Sequence, residues 1–141
     1  MKSTLRQCKG LPEKRFENGS VLFKENESNS VLFILIEGAV EVTKEGEHIA
    51  TVTEPGSIFG EIAIVCHQPH MATVTAKEPC RFHVITDTDA FIKSYPLIHW
   101  EVTRILGERL TRISTRLIEI MKEQEAATAE TIHVVYGESF K

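Results

Sequence analysis

Residues 55–74 read PGSIFGEIAIVCHQPHMATV and carry the most informative pattern in the chain. A short apolar run ends in the tripeptide Phe-Gly-Glu at 59–61, an apolar helical turn follows at 62–64, and a loop leads to a strand-like segment after His70. Gly60 permits a close backbone approach that a Cβ would block, and the free N–H groups of a helical turn favour an anion. The pattern therefore indicates a site for a small anionic ligand.

Short β-branched and aromatic runs alternate with turn residues on both sides of this stretch, from about residue 13 to residue 86. The run 31–36 is apolar throughout, which predicts a strand in the middle of a sheet. The rhythm is typical of a β-sandwich or barrel. It predicts strands at 21–24, 31–37, 39–44, 48–53, 71–76 and 80–85.

Two helices are predicted after the strands, over about 88–126. Thr86 to Asp89 supply candidate N-caps for the first helix, and Tyr95-Pro96 separates it from the second. The second helix carries apolar residues at the four-three spacing of a two-stranded coiled coil, namely Leu106, Leu110, Ile113, Leu117 and Ile120. We expect a homodimer through this helix, although such a stripe can also pack on the chain's own β body. Residues 127–141 are predicted to form a C-terminal tail, either frayed or a short strand.

The order of motifs in 55–74 resembles the phosphate-binding cassette of cyclic nucleotide-binding domains, of the catabolite activator and protein kinase A regulatory subunit type. Further segments of 12–115 look like that family too, among them 16–19, 34–40 and 89–91. The resemblance implies a mainly β fold with C-terminal helices, a double-stranded β-helix (jelly-roll or cupin-like β-roll). We expect one such domain over 1–126, with the β-roll at about 13–86.

The resemblance also implies which residues contact the ligand. Glu61 stands where the family has a ribose-binding Glu, although a carboxylate exposed near a helix N-terminus is the alternative. Met71 stands where members selective for cyclic GMP often carry a hydroxyl group, so cyclic AMP is favoured. The implied ligand-binding residues are Phe59, Gly60, Glu61, Ile62, Ala63, His70, Met71 and Ala72.

His70 is a departure from the family pattern. It lies nine positions after Glu61, where the family has an Arg that holds the cyclic phosphate, and no Arg occurs between Arg15 and Arg81. Losing one partner of a buried ion pair costs about 2–5 kcal/mol. A protonated His70 would supply one donor, so binding would be weak and would tighten at low pH.

Two functions are consistent with these residues. The first is a stand-alone sensor that binds a cyclic nucleotide, or a related anionic ligand, and relays binding through the C-terminal helix to an effector that the sequence does not identify. The second is a fold that has lost its nucleotide and serves as a dimerisation or docking module.

Composition excludes several other classes of function. A net charge of −4 and a pI near 5.9 argue against a nucleic-acid partner. The longest apolar run has six residues, so we expect no membrane span, and the first residues carry no secretory signal. Three cysteines without a C-x-x-C pair favour reduced thiols in a cytoplasmic protein, with Cys66 and Cys80 as small packing residues.

No enzyme motif is present. The chain has no nucleophile elbow, phosphate-binding P-loop or H-E-x-x-H sequence. A cupin-like metal site needs an H-x-H pair with a carboxylate nearby. The candidates for such a site, Glu61, His67, His70 and His83, do not have that spacing. We therefore expect neither catalysis nor a metal or other cofactor, and cyclic AMP is the expected ligand.

Overall fold

Two four-stranded antiparallel sheets form the body of the chain. The computed structural model of the chain describes residues 2–127. The strands are β1 (Glu13–Phe16), β2 (Val21–Phe23), β3 (Leu32–Glu37), β4 (Val40–Lys44), β5 (Glu47–Val52), β6 (Ile58–Phe59), β7 (Thr73–Ala76) and β8 (Cys80–Ile85). The helices are α1 (Lys2–Gln7), α2 (Glu61–Val65), α3 (Thr88–Ser94) and α4 (Pro96–Ala127).

The first sheet has the strand order β1-β8-β3-β6 and the second has the order β2-β7-β4-β5. The apolar strand β3 lies between β8 and β6, as its sequence predicts. Alternation on β4 and β7 buries Val40 and Val74 in the second sheet. The predicted fold class, a mainly β roll with C-terminal helices, is confirmed.

Aromatic side chains fill the core between the sheets. The ring of Phe82 is fully buried and meets the edges or faces of Phe16, Phe33 and Phe59 at centroid distances of 5.6, 6.0 and 6.1 Å. Such edge-to-face pairs stabilise a core by about 0.5–1.5 kcal/mol each beyond the area they bury. The aromatic cluster fixes β6, and with it the start of the 55–74 stretch, against the first sheet.

All six predicted strands are present, with ends that agree within two residues. The prediction missed α1, β1 and β6. β1 reads Glu-Lys-Arg-Phe with mostly exposed side chains at a sheet edge, and β6 has only two residues, so neither shows an apolar alternation. The cysteine prediction was partly wrong, because Cys66 is exposed whereas Cys80 is buried.

The helices begin where their capping residues predict. Asp87 precedes α3, and its Oδ1 accepts a hydrogen bond from the backbone N–H of Ala90 at 3.3 Å. Pro96 occupies the first position of α4, where its missing N–H costs nothing. Within the described residues, no helix combines the length and apolarity needed to cross a membrane.

The chain divides into two compact units at Val102. The first unit holds both sheets, the three short helices and the beginning of α4. The described part of the second unit is the rest of α4, from Thr103 to Ala127. The predicted tail lies outside the described residues, except for Ala127, which ends α4.

Candidate ligand-binding site

Gly60 forms the sharp turn between β6 and α2. Its φ of +91° lies in the left-handed region that favours glycine. A Cβ at this position would lie 2.6 Å from the carbonyl oxygen of Val31 and 3.4 Å from Cε1 of His70. Any other residue would therefore strain the backbone and press on Val31, which precedes β3, so the turn depends on glycine.

The imidazole of His70 lies against this turn. The side chain is only 3% exposed, and its ring stacks on Phe23 with centroids 3.9 Å apart and an interplanar angle of 17°. The structure thus places His70 beside Gly60, which lies ten positions earlier in the predicted cassette.

A hydrogen-bonded chain ties His70 to the loop between β2 and β3. Nε2 of His70 lies 2.7 Å from Oδ1 of Asn29, which also accepts from the N–H of Val31 at 3.3 Å. Asn29 Nδ2 in turn donates to the carboxylate of Glu27 at 2.8 Å. Because an amide oxygen can only accept, Nε2 carries the ring proton in this arrangement.

The backbone strengthens the same connection. The N–H of Asn26 donates to the carbonyl of His70 at 2.7 Å, and the N–H of His70 donates to the carbonyl of Glu27 at 3.0 Å. Sequence reasoning missed Glu27 and Asn29, because the contact between Asn29 and His70 spans 41 positions. No short sequence motif connects Asn29 with His70.

Burial lowers the pKa of His70 below its ordinary value, and the nearby Glu27 carboxylate opposes this only in part. The imidazole is therefore neutral at pH 7. With the proton on Nε2, Nδ1 presents a lone pair, which cannot donate a hydrogen bond to a phosphate oxygen. Direct contact with a phosphate through Nδ1 needs a second proton on the ring.

Glu61 directly follows Gly60, but the cleft that it lines is formed by other residues than His70. It begins α2, is only 4% exposed and lines a cleft formed with α3 and the start of α4. The carboxylate is thus buried rather than exposed, contrary to the alternative considered from the sequence. The other residues that line the cleft are Leu32, Ile64, Val65, Ile92, His99 and Val102.

The remaining predicted site residues differ in exposure. Phe59 belongs to the aromatic core and Ala63 is buried, whereas Ile62 and Ala72 are partly buried. Met71 is 47% exposed, and its carbonyl accepts a hydrogen bond from Nζ of Lys44 at 2.9 Å. Lys44 therefore brings a positive charge to the residue after His70, and nothing in the sequence pattern singled it out.

Three or more His, Cys, Asp or Glu side chains do not converge on a possible metal position anywhere in the described part of the chain. The candidate site consists of a glycine turn and a short helix, with a buried neutral imidazole beside the turn and a buried carboxylate that lines the neighbouring cleft.

Comparison with known families identifies this arrangement. The family model of the cyclic nucleotide-binding domain matches residues 13–92, which include all eight strands, α2 and most of α3. The chain belongs to the cyclic nucleotide-binding domain family.

Characterised relatives cover different shares of the chain. A cAMP-dependent protein kinase regulatory subunit from Yarrowia lipolytica is 36% identical over 70 residues, which are 50% of this chain and 18% of that protein. A CRP-like cAMP-activated global transcriptional regulator from Mycobacterium tuberculosis is 29% identical over 120 residues, which are 80% of this chain and 53% of that protein. The chain thus spans about half of the regulator and less than a fifth of the kinase subunit.

A solved structure with a ligand is similar as well. The structure described as Sp-2Cl-cAMPS bound to PKAR CBD2 superimposes with a TM-score of 0.65 at 28% sequence identity. The match covers 79% of this chain and 75% of that chain.

Proposed function

We propose that this chain is a regulatory sensor domain that binds a cyclic nucleotide weakly, with cyclic AMP favoured over cyclic GMP. The observation that carries the proposal is the position of His70 beside the Gly60 turn within a cyclic nucleotide-binding fold. The similar kinase subunit and transcriptional regulator are both described by their response to cAMP. Met71 supports the preference, because a thioether offers no hydroxyl group to guanine.

The turn supplies the phosphate end of the proposed site. Gly60 lets the backbone approach a ligand closely, and the first N–H groups of α2 are suited to a negative charge. Lys44 adds a positive charge near Met71. Glu61 is the proposed acceptor for a ribose hydroxyl, a charge-assisted hydrogen bond that deoxyribose could not make.

Weak binding follows from the state of His70. A neutral, buried imidazole replaces a guanidinium that would be charged at any physiological pH. A bound phosphate favours the protonated ring, so proton uptake accompanies binding. Affinity therefore rises as the pH falls from 8 toward 6.

Calorimetric titration of cyclic AMP into the native chain and into His70→Arg, at pH 6 and pH 8, tests the proposal. We expect native binding to be tighter at pH 6, and His70→Arg to bind about 10- to 1,000-fold more tightly at pH 8 with little dependence on pH. His67→Arg makes the same substitution at an exposed position and is the matched control. Equal native affinities at both pH values would contradict the role of His70.

A second function rests on a specific observation as well. Phe23 stacks on the ring of His70, and Asn29 accepts the hydrogen bond from its Nε2. The ring face and the ring proton of His70 therefore both have partners within the protein. This favours a domain that has lost its nucleotide and acts as a dimerisation or docking module. In the titration, binding by His70→Arg alone would mean that the pocket persists without its anchor, and binding by neither protein would support the docking module.

We further propose that α4 mediates homodimerisation and relays ligand binding to an effector. Its apolar stripe supports this proposal, because Leu110, Ile113 and Leu117 are 66%, 66% and 50% exposed. Leu106 and Ile120 complete the four-three spacing. Light scattering at tens of micromolar should give the mass of a dimer. A monomer would contradict the proposed interface.

The proposal involves neither catalysis nor a cofactor, since the site holds its ligand through hydrogen bonds and charge. It also involves no nucleic acid, because the net charge is −4. The three free thiols favour a reducing compartment, and we propose the cytoplasm.

A further inference from the structure

Asn29 holds one edge of the His70 ring in a fixed arrangement. Its Oδ1 accepts hydrogen bonds from Nε2 of His70 and from the N–H of Val31, while its Nδ2 donates to the carboxylate of Glu27. A turned-over amide would point its oxygen at that carboxylate and its NH2 group at the N–H of Val31, so both bonds would be lost. Glu27 and Val31 therefore fix the amide oxygen toward His70, which keeps the ring proton on Nε2.

Nδ1, the other nitrogen of the His70 ring, is the one left for a ligand. It is bonded to Cε1, the atom that lies 3.4 Å from the Cβ position of Gly60. Within residues 2–127, Nδ1 takes part in no hydrogen bond. Among the described side chains, Oγ1 of Thr4 is the only fully buried nitrogen or oxygen atom without a partner. Nδ1 is therefore reachable from outside, although His70 as a whole is only 3% exposed.

We propose that Asn29 is a positioning residue for the ligand: by keeping the first ring proton of His70 on Nε2, it makes Nδ1 the atom that takes up a proton from solvent and then donates a hydrogen bond to a phosphate oxygen of the cyclic nucleotide. This inference rests on the proposed function. In the complex both ring nitrogens donate, one to Asn29 and one to the ligand. Asn29 acts through His70 and needs no contact with the ligand.

The charges around His70 decide how readily the ring takes up that proton. The titratable groups of the elements around it are Lys24, Glu25 and Glu27 before β3, Lys44 on β4, Glu61 on α2 and His67 in its own loop. Burial lowers the pKa of His70, and among these groups Glu27 is the one that opposes burial. The neutral amide of Asn29 lies between that carboxylate and Nε2, so Glu27 reaches the ring through Asn29.

Asn29→Asp tests this role, because it replaces the amide oxygen by a carboxylate of the same shape 2.7 Å from Nε2. An opposite charge this close favours the protonated ring. We therefore expect the titration midpoint of His70, followed by NMR in the ligand-free full-length chain, to rise by about 1–3 pH units. An unchanged midpoint would overturn the inference.

Asn26→Asp is the matched control for this titration. It adds the same charge to the same loop, at an exposed residue that contacts His70 only through its backbone N–H. Aspartate also tolerates the φ of +69° at this position. We expect a midpoint close to that of the native chain. A rise equal to that of Asn29→Asp would show that any charge in the loop acts on His70, and it would overturn the specific role of Asn29.

The native chain provides a test that needs no variant. At pH 7 without ligand, NMR correlations between the ring nitrogens and the ring C–H protons should show the proton of His70 on Nε2. With saturating cyclic AMP, both ring nitrogens should carry a proton. A ligand-free ring with its proton on Nδ1, or a ring that stays neutral in the complex, would overturn the inference.

Calorimetric titration of cyclic AMP separates this inference from the proposed function. Uptake of one proton changes an affinity by at most about tenfold per pH unit. The ring of Asn29→Asp is already charged over part of the range, so its ratio of affinities at pH 6 and pH 8 should be about a tenth of the native ratio. Asn26→Asp should keep the native ratio. A native ratio in Asn29→Asp would overturn the role of Asn29 and leave the proposed function intact, whereas no binding by the native chain at pH 6 would overturn both.

Discussion

Stacking on Phe23 and packing beside the Gly60 turn leave His70 only 3% exposed to water, which disfavours its charged form. In the unfolded chain the imidazole has a pKa near 6.5. Between that value and the lower pKa of the folded protein, the unfolded chain binds the proton more readily. The contribution of His70 to stability is therefore present above about pH 6.5 and is lost as the pH falls through the folded pKa.

We expect the free energy of unfolding of the native chain to decrease between pH 7.5 and pH 5, and His70→Gln to show a shallower decrease. Glutamine retains an N–H donor for Asn29 but takes up no proton in this range. Urea titrations at several pH values measure the difference. His48→Gln is the control, because that imidazole is exposed and lies 3.5 Å from Glu41. Identical pH profiles for native chain and His70→Gln would show that the histidine does not titrate as described.

Sequence reasoning identified part of the site at this scale. A glycine between an apolar strand and a helical turn marks a special backbone conformation, and the φ of Gly60 confirms it. The chain of contacts from His70 to Asn29 and Glu27 could not be predicted, because it depends on how two distant loops pack. The burial of His70 follows from those contacts.

At the scale of elements, α2 and α4 each contain or adjoin a glycine with a different physical role. Gly60 adopts a positive φ and has no room for a Cβ, whereas Gly107 is exposed within α4 with nothing within 4 Å of the Cβ position. The same substitution should therefore have opposite effects at the two positions.

We expect Gly60→Ala to destabilise the fold by about 2–4 kcal/mol, through left-handed strain and the clash with Val31. Gly107→Ala should stabilise the chain by about 0.5–1 kcal/mol, because alanine is the better helix former. Thermal unfolding followed by circular dichroism measures both changes. A neutral Gly60→Ala would contradict the tight turn, and a destabilising Gly107→Ala would contradict an open position on the helix.

The strands that the sequence predicts are those with β-branched or aromatic runs, such as β3 and β8. β1 is absent from the prediction because an exposed edge strand needs no apolar face, and its residues pair with β8 through the backbone. β6 has only two residues, which is too short to show an alternation of apolar and polar side chains. Its place in the sheet is set by pairing with Phe33 and Ile34 of β3. Periodicity thus predicts the sheet interior, whereas edges depend on tertiary pairing.

At the scale of the whole molecule, the proposed relay connects ligand binding to dimerisation. If cyclic AMP binds the dimer and the monomer with different affinities, then dimerisation changes the affinity for cyclic AMP, and cyclic AMP changes the dimer affinity by the same factor for each site. A variant that cannot dimerise then binds cyclic AMP with a different affinity from the dimer, even when its cassette is intact.

Leu117→Asp places a charge in the centre of the stripe, and Thr115→Asp places the same charge on the other side of the exposed helix. We expect Leu117→Asp to be a monomer and Thr115→Asp to remain a dimer by light scattering. The affinity for cyclic AMP should differ at least about fivefold between Leu117→Asp and the native dimer, because fivefold is the lower end of the coupling usually found between two sites. Thr115→Asp should bind cyclic AMP as the native chain does. The dimer Kd with saturating cyclic AMP should shift by the corresponding factor. If Leu117→Asp is monomeric and binds cyclic AMP as the native dimer does, the helix carries no signal from the cassette through dimerisation.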